Sequence, residues 1–131
     1  MTVDDPVQFT EAIWGDQRAP FDSVTRNFTL NLESGPCSGE QFAVEVRFNL
    51  NNSSSCCQAP PSSVVLQSDN KFELLGNPQW TDSRTSGNVL IILKRRSDGG
   101  GTKNKVFITV TGFRTDGKSY SSQGNVILNC P

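Results

Sequence analysis

The densest grouping of chemistry-bearing residues in this chain is basic. Lys94, Arg95, Arg96, Lys103, Lys105, Arg114 and Lys118 supply seven of the 12 Lys and Arg side chains within 25 positions. If the strand at 88–93 pairs with the strand at 105–113 through the turn at 98–101, Lys94, Arg95, Arg96, Lys103 and Lys105 gather at one hairpin tip. Such a tip can hold sulfate or uronate groups, or an acidic partner, through charge-assisted hydrogen bonds. Basic side chains at strand ends also serve simply to keep edges soluble. Aromatic residues offer a second chemistry, stacking on sugar rings. Trp14 and Trp80 lie in polar, turn-like contexts and Tyr120 follows a turn, so all three are candidate saccharide contacts. The file Phe107, Thr109, Thr111 and Phe113 is a further option, although aromatic residues on a sheet are usually covered.

Catalytic chemistry is poorly provided for. The chain contains no histidine, which removes the Ser-His-Asp and Cys-His nucleophiles, the imidazole proton shuttle and His-containing zinc sites. Only the carboxylates remain for acid–base work. Asp4, Asp5, Glu11, Asp16, Asp22, Glu33, Glu40 and Glu45 crowd the first third, and Asp69, Glu73, Asp82, Asp98 and Asp116 are scattered. Nothing in their spacing sets two of them across a cleft as glycoside hydrolysis requires. No calcium loop, phosphate-binding loop or nucleophile elbow occurs, so no cofactor and no metal are expected. The formal net charge of -1 conceals an acidic first third and a basic region near the end, and it argues against a nucleic-acid binder.

Cys37, Cys56, Cys57 and Cys130 are an even set in a small polar chain, which points to two disulfides and an oxidising compartment. Adjacent cysteines seldom bridge each other, so Cys56 and Cys57 are expected to pair with Cys37 and Cys130, in either order. A zinc site would call for Cys-x-x-Cys or similar spacing, which is absent. Asn27-Phe28-Thr29, Asn51-Asn52-Ser53 and Asn52-Ser53-Ser54 match the glycosylation acceptor pattern, making Asn27, Asn51 and Asn52 candidate glycan sites.

The elements that must carry these groups read as strands. At 131 residues the chain is sized for one domain, 1–131, in which residues 1–22 form an edge strand or a loose arm. Apolar residues make up only 34%, but they fall at alternate positions. Phe42, Val44, Val46, Phe48 and Leu50 share one face of a strand at 41–50 whose other face is polar. Val24, Phe28, Leu30 and Leu32 mark a strand over 24–32, with Arg26 intruding. Weaker strands are expected at 64–67 and 71–75, joined as a hairpin by Ser68-Asp69-Asn70. Val89–Leu93 is apolar on both faces, as a central strand should be. Thr115-Asp116-Gly117-Lys118 signals a hairpin between 105–113 and a closing strand at 125–129. No stretch has helical period. The expected fold is all-β, an antiparallel β-sandwich of Ig-like or jelly-roll type with about 7–8 strands, stapled by disulfides. A closed barrel is the second choice.

No run of apolar residues is long enough for a membrane helix. Met1–Pro6 has neither a basic nor an apolar leader region, so any secretory signal is expected to have been removed. Between Phe28 and Leu75 the chain resembles the pherophorin-type extracellular glycoproteins of green algae. The resemblance rests on Phe28-Thr29-Leu30, on Phe42-Ala43-Val44-Glu45-Val46, on the vicinal Cys56-Cys57 and on the apolar strand after them. It implies a secreted cell-wall or matrix module that associates with polysaccharide or with other wall glycoproteins. Together these features point to a non-catalytic extracellular adhesion or matrix module at a cell surface or wall. The alternative is a carbohydrate-binding module working through exposed aromatics or the basic hairpin tip.

Overall fold

The computed structural model describes residues 7–50, 61–82, 86–98, 100–113 and 117–131. Asn51, Asn52, Cys56, Cys57 and Arg114 lie outside them. Nine strands and one short helix form two sheets. In chain order they are β1 (Val7–Trp14), β2 (Gln17–Pro20), β3 (Asn27–Asn31), α1 (Ser34–Ser38), β4 (Phe42–Leu50), β5 (Pro61–Leu66), β6 (Phe72–Asp82), β7 (Ser86–Arg95), β8 (Lys105–Phe113) and β9 (Ser119–Asn129). The five-stranded sheet has the order β2-β1-β4-β7-β6, and the four-stranded sheet β3-β9-β8-β5.

Alternation explains the core. Val44, Val46, Val89, Ile91 and Leu93 of one sheet and Phe28, Leu30, Val106, Ile108, Val110 and Val126 of the other are completely buried. Every one occupies an inward position of a period-2 pattern. The sheets meet closely where Phe9 of β1 packs edge-on to Phe28 of β3, with ring centroids 5.9 Å apart. Gly124 of β9 faces both rings, and a Cβ there would stand 3.3 Å from each. The sandwich is therefore the solution by which two one-sided sheets cover each other.

Several pairings differ from the sequence reading. There are nine strands instead of seven or eight, and β3 runs parallel to β9, so the sandwich is not purely antiparallel. The third strand starts at Asn27, not Val24, because Asp22 organises a turn. Its carboxylate accepts the backbone N–H of Val24 and Thr25, at 2.9 and 3.3 Å. Arg26 takes a positive φ of 61°, and Val24 is left 89% exposed. β1 is no loose arm: it lies inside its sheet between β2 and β4, while β2 forms the edge. β7 is next to the edge, not central, and its Leu90 and Ile92 are half-buried.

The two expected hairpins at 68–70 and 98–101 are both crossings between sheets. β5 belongs to the four-stranded sheet and β6 to the five-stranded one; the same separation holds for β8 and β7. Buried Asn70 explains the first crossing. Its Nδ2 donates to the Lys105 carbonyl (3.0 Å) and its Oδ1 accepts from Phe72 N–H (2.9 Å), so one side chain stitches the two sheets. In the second crossing Gly101 has φ +91° and passes so near the Asn70 backbone that a Cβ would collide with it. The β8–β9 hairpin is formed as expected.

The disulfide pairing also needs correction. Cys37 bonds Cys130, across 93 residues, with Cα atoms 5.9 Å apart; neither pairs with Cys56 or Cys57. The parallel β3–β9 pair is the physical reason. It sets Asn31 beside Asn129, so the chain leaves both strands at the same end of the sandwich. Cys37 in α1 and Cys130 just past β9 follow directly from those two residues.

Candidate functional site

The basic residues do not meet at a hairpin tip, and only three of the five stay together. Lys94 and Arg95 end β7 and Arg96 opens the crossing to β8. With Ser97 they form one wall of a cleft of about 500 Å³, whose other wall is Cys37, Ser38 and Gly39. No carboxylate is among the described residues that line it. α1 leads into β4, whose Phe42 pairs with Leu93 near the end of β7, and the Cys37–Cys130 bond ties α1 to the end of β9.

The two arginines are fixed by the backbone. Arg95 Nη1 donates to the carbonyls of Lys71 (3.0 Å) and Gly100 (3.3 Å). Arg96 Nη1 donates to the Asn70 carbonyl (3.4 Å) and Nη2 to Asp98 Oδ2 (2.6 Å). Asp98 is held below the usual carboxylate range, first by the Gly100 N–H and then by Arg96. Asp98 offsets the charge of Arg96, whereas Lys94 and Arg95 line the cleft as well. Lys94 stands across from Glu73 on the outward face of the five-stranded sheet.

Lys103 and Lys105 are elsewhere. Lys103 is bridged through its backbone to Asn70, and Lys105 opens β8 opposite Ile127, on the outward face of the four-stranded sheet. Lys71 lies between Lys103 and Arg96: its N–H donates to the Lys103 carbonyl (2.8 Å) and its carbonyl accepts the Arg96 N–H (2.9 Å).

The aromatic candidates do not assemble into one platform. Tyr120 is only 7% exposed and belongs to the core. Trp80 pairs in register with buried Val89, so its ring points inward and is partly buried against the core. Trp14 also packs partly on the core, but two strands, β4 and β7, lie between its strand and that of Trp80. Trp14 does border a cleft of about 460 Å³ with Asp16, Gln17 and Glu33. There Gln17 is already occupied: its amide bonds both the N–H and the carbonyl of Asn31, at 2.7 and 2.9 Å.

The carboxylates near the start of the chain are matched by arginines. Glu11 pairs with Arg18 (2.8 Å) and Arg47 (3.5 Å), and Arg47 also pairs with Glu45 (3.1 Å). Asp22 is used in the turn before β3, and its two backbone hydrogen bonds hold it below the ordinary carboxylate range. Among the described residues no three His, Cys, Asp or Glu side chains cluster as metal ligands, and no helix is long and apolar enough to cross a membrane.

The wall contributed by Cys37, Ser38 and Gly39 was not legible in the sequence. Its presence depends on a parallel pairing between segments about a hundred residues apart, for which local periodicity carries no signal. No protein-family model, curated protein or solved structure matches this chain.

Proposed function

We propose that the protein is a non-catalytic extracellular adhesion or matrix module that holds an acidic polysaccharide in the cleft between α1 and the end of β7. The observation that carries this reading is the cleft itself, with Lys94, Arg95 and Arg96 on one wall and no carboxylate among its described lining residues. Two guanidinium groups already anchored on backbone carbonyls lose little freedom on meeting a sulfate or carboxylate. The disulfide supports an oxidising compartment. The carboxylates described are ion-paired, used in turns or exposed, which favours binding over acid–base catalysis. A matrix role of this kind is also what the pherophorin-type resemblance implies, and glycans on Asn51 and Asn52 would suit it.

Retention on immobilised heparin and polygalacturonate tests the reading. Retention is expected at low salt and is lost as NaCl rises, because the contacts are ionic. Lys94→Glu reverses one charge without touching the arginine anchors and should weaken binding about tenfold. Passage of the native protein through both columns at low salt would refute the proposal.

A further inference from the structure

The outward face of the four-stranded sheet carries an organisation independent of the basic cleft. Side-chain amides on this face are linked head to tail. Gln123 Nε2 donates to Asn125 Oδ1 (3.0 Å), and Asn125 Nδ2 donates to Asn27 Oδ1 (3.2 Å). A second relay runs the same way one end along: Asn104 Nδ2 donates to Asn129 Oδ1 (3.2 Å), and Asn129 Nδ2 to Asn31 Oδ1 (3.5 Å). Both relays end on β3, at residues two positions either side of Thr29. Each terminal amide has its oxygen engaged by the relay, and the Nδ2 groups of Asn27 and Asn31 have no acceptor among the described residues. Hydrogen bonds in such a chain polarise one another, so the last donor is strengthened as well as oriented.

The result is a file of Asn27, Thr29 and Asn31 along one strand, spanning about 13 Å. Thr29 and Asn31 are exposed and Asn27 is half-buried. The register pairs Asn27 with Asn125 and Asn31 with Asn129, so the terminal amides stand beside their donors on β9. The strand itself is held firmly. Arg26, just before it, donates to the Gln123 carbonyl (2.8 Å) and to Ser122 Oγ (3.0 Å), and its guanidinium lies over the Phe21 ring. The free edge of β3 is closed at Asn31 by the Gln17 amide, which takes the place of a neighbouring strand. A partner therefore meets the face of this strand and not its edge.

From this geometry we infer that the Asn27–Thr29–Asn31 file binds a neutral polysaccharide. Amide donors interleaved with a hydroxyl match the hydroxyl and ring oxygens of a sugar chain, and the file and its two relays contain no charged side chain to favour an ionic one. Beside it, Phe107 lies in the same row as Asn125 and supplies a half-buried apolar surface for the non-polar face of a sugar ring. The amides are ordered before any ligand arrives, which lowers the entropic cost of binding.

The test is affinity electrophoresis of the full chain, made with its disulfide and without N-glycans, through gels containing laminarin, xyloglucan, hydroxyethyl cellulose or galactomannan. Retardation by at least one of these is expected and should persist in about 0.5 M NaCl, since no ion pair is involved. Thr29→Val together with Asn31→Ala should weaken it about tenfold or more. Asn31→Asp, which keeps the shape but exchanges the donor for an acceptor, should weaken it in a fold that thermal unfolding shows to be intact. Lys94→Glu should leave it unchanged, so failure of the acidic-glycan reading and failure of this one are separable. No retardation in any gel, or retardation indifferent to both the double variant and Asn31→Asp, overturns the inference.

Discussion

The two outward faces of the sandwich solve the same problem in different ways. The five-stranded sheet covers itself with charge: Glu11, Arg18, Glu45 and Arg47 form an ion-paired network, with half-buried Leu75, Leu90 and Ile92 beyond it. The four-stranded sheet uses uncharged amides arranged in two directed relays. Ion pairs on a surface are screened and adjustable, and they satisfy one another without pointing anywhere. Amide relays have a direction, and theirs ends on Asn27 and Asn31, whose Nδ2 groups have no acceptor among the described residues. Charge on one face accounts for solubility, whereas order on the other goes beyond what solubility requires.

The largest way to disturb this contrast is to cut the tie that holds both faces to one frame. The Cys37–Cys130 bond links the end of the four-stranded sheet to the segment that leads into β4 of the other. Replacing both residues by Ser should lower stability by about 4 kcal/mol, as expected for a loop of this length, read from denaturant unfolding. The acidic-glycan cleft should weaken with it, because one of its walls is α1. The amide relays should be retained in whatever fraction remains folded, since β3 and β9 stay paired through their backbones. Unchanged stability in the double variant would mean that the bond is not formed in the native protein.

Most of the strands were legible in the sequence because their burial alternates strictly. β4 and β8 fall within one residue of their expected limits, and the β8–β9 hairpin was signalled by its turn. What alternation does not carry is partnership. Ser68-Asp69-Asn70 looks like a hairpin turn, yet Asn70 is buried between sheets and bonds both, so the chain crosses there. The basic residues are dense in the sequence but do not form the hairpin tip it suggests, because the crossing at 98–101 sends Lys105 to the other sheet. Val24 fits the apolar pattern of β3 and is nonetheless a turn residue, because the Asp22 carboxylate captures the backbone around it. Tryptophans in polar contexts suggest an exposed platform; here both are partly buried and pack against the core.

A smaller perturbation separates the two faces directly. Arg47→Ala removes two of the three ion pairs among the described residues of the five-stranded sheet, all of them partly exposed. The cost should be about 0.2–1 kcal/mol at low ionic strength, and it should vanish in concentrated NaCl. Asn125→Ala breaks the first relay in its middle, and its effect on stability should not depend on salt. Thermal unfolding of both variants at low and high NaCl reads the difference. A salt-dependent effect of Asn125→Ala, or a salt-independent one of Arg47→Ala, would remove the distinction drawn between the faces.

The smallest effect repeats the contrast in two carboxylates. Asp22 and Asp98 are both held below the ordinary range, Asp22 by the backbone N–H groups of Val24 and Thr25, Asp98 by the Gly100 N–H and by Arg96. A pKa lowered on folding stabilises the native state above the unfolded value of about 3.9, and that contribution is lost as pH falls through the folded pKa. Both groups should therefore contribute at neutral pH and cease to do so in acid. Their response to salt should differ. Part of the Asp98 shift is an ion pair, so its carboxyl pKa, followed by NMR, should rise toward the unfolded value in concentrated NaCl. That of Asp22, whose lowering comes from backbone donors, should stay where it is. Equal movement of the two would show that Arg96 adds nothing to Asp98, and that Asp98 does not offset the charge of Arg96.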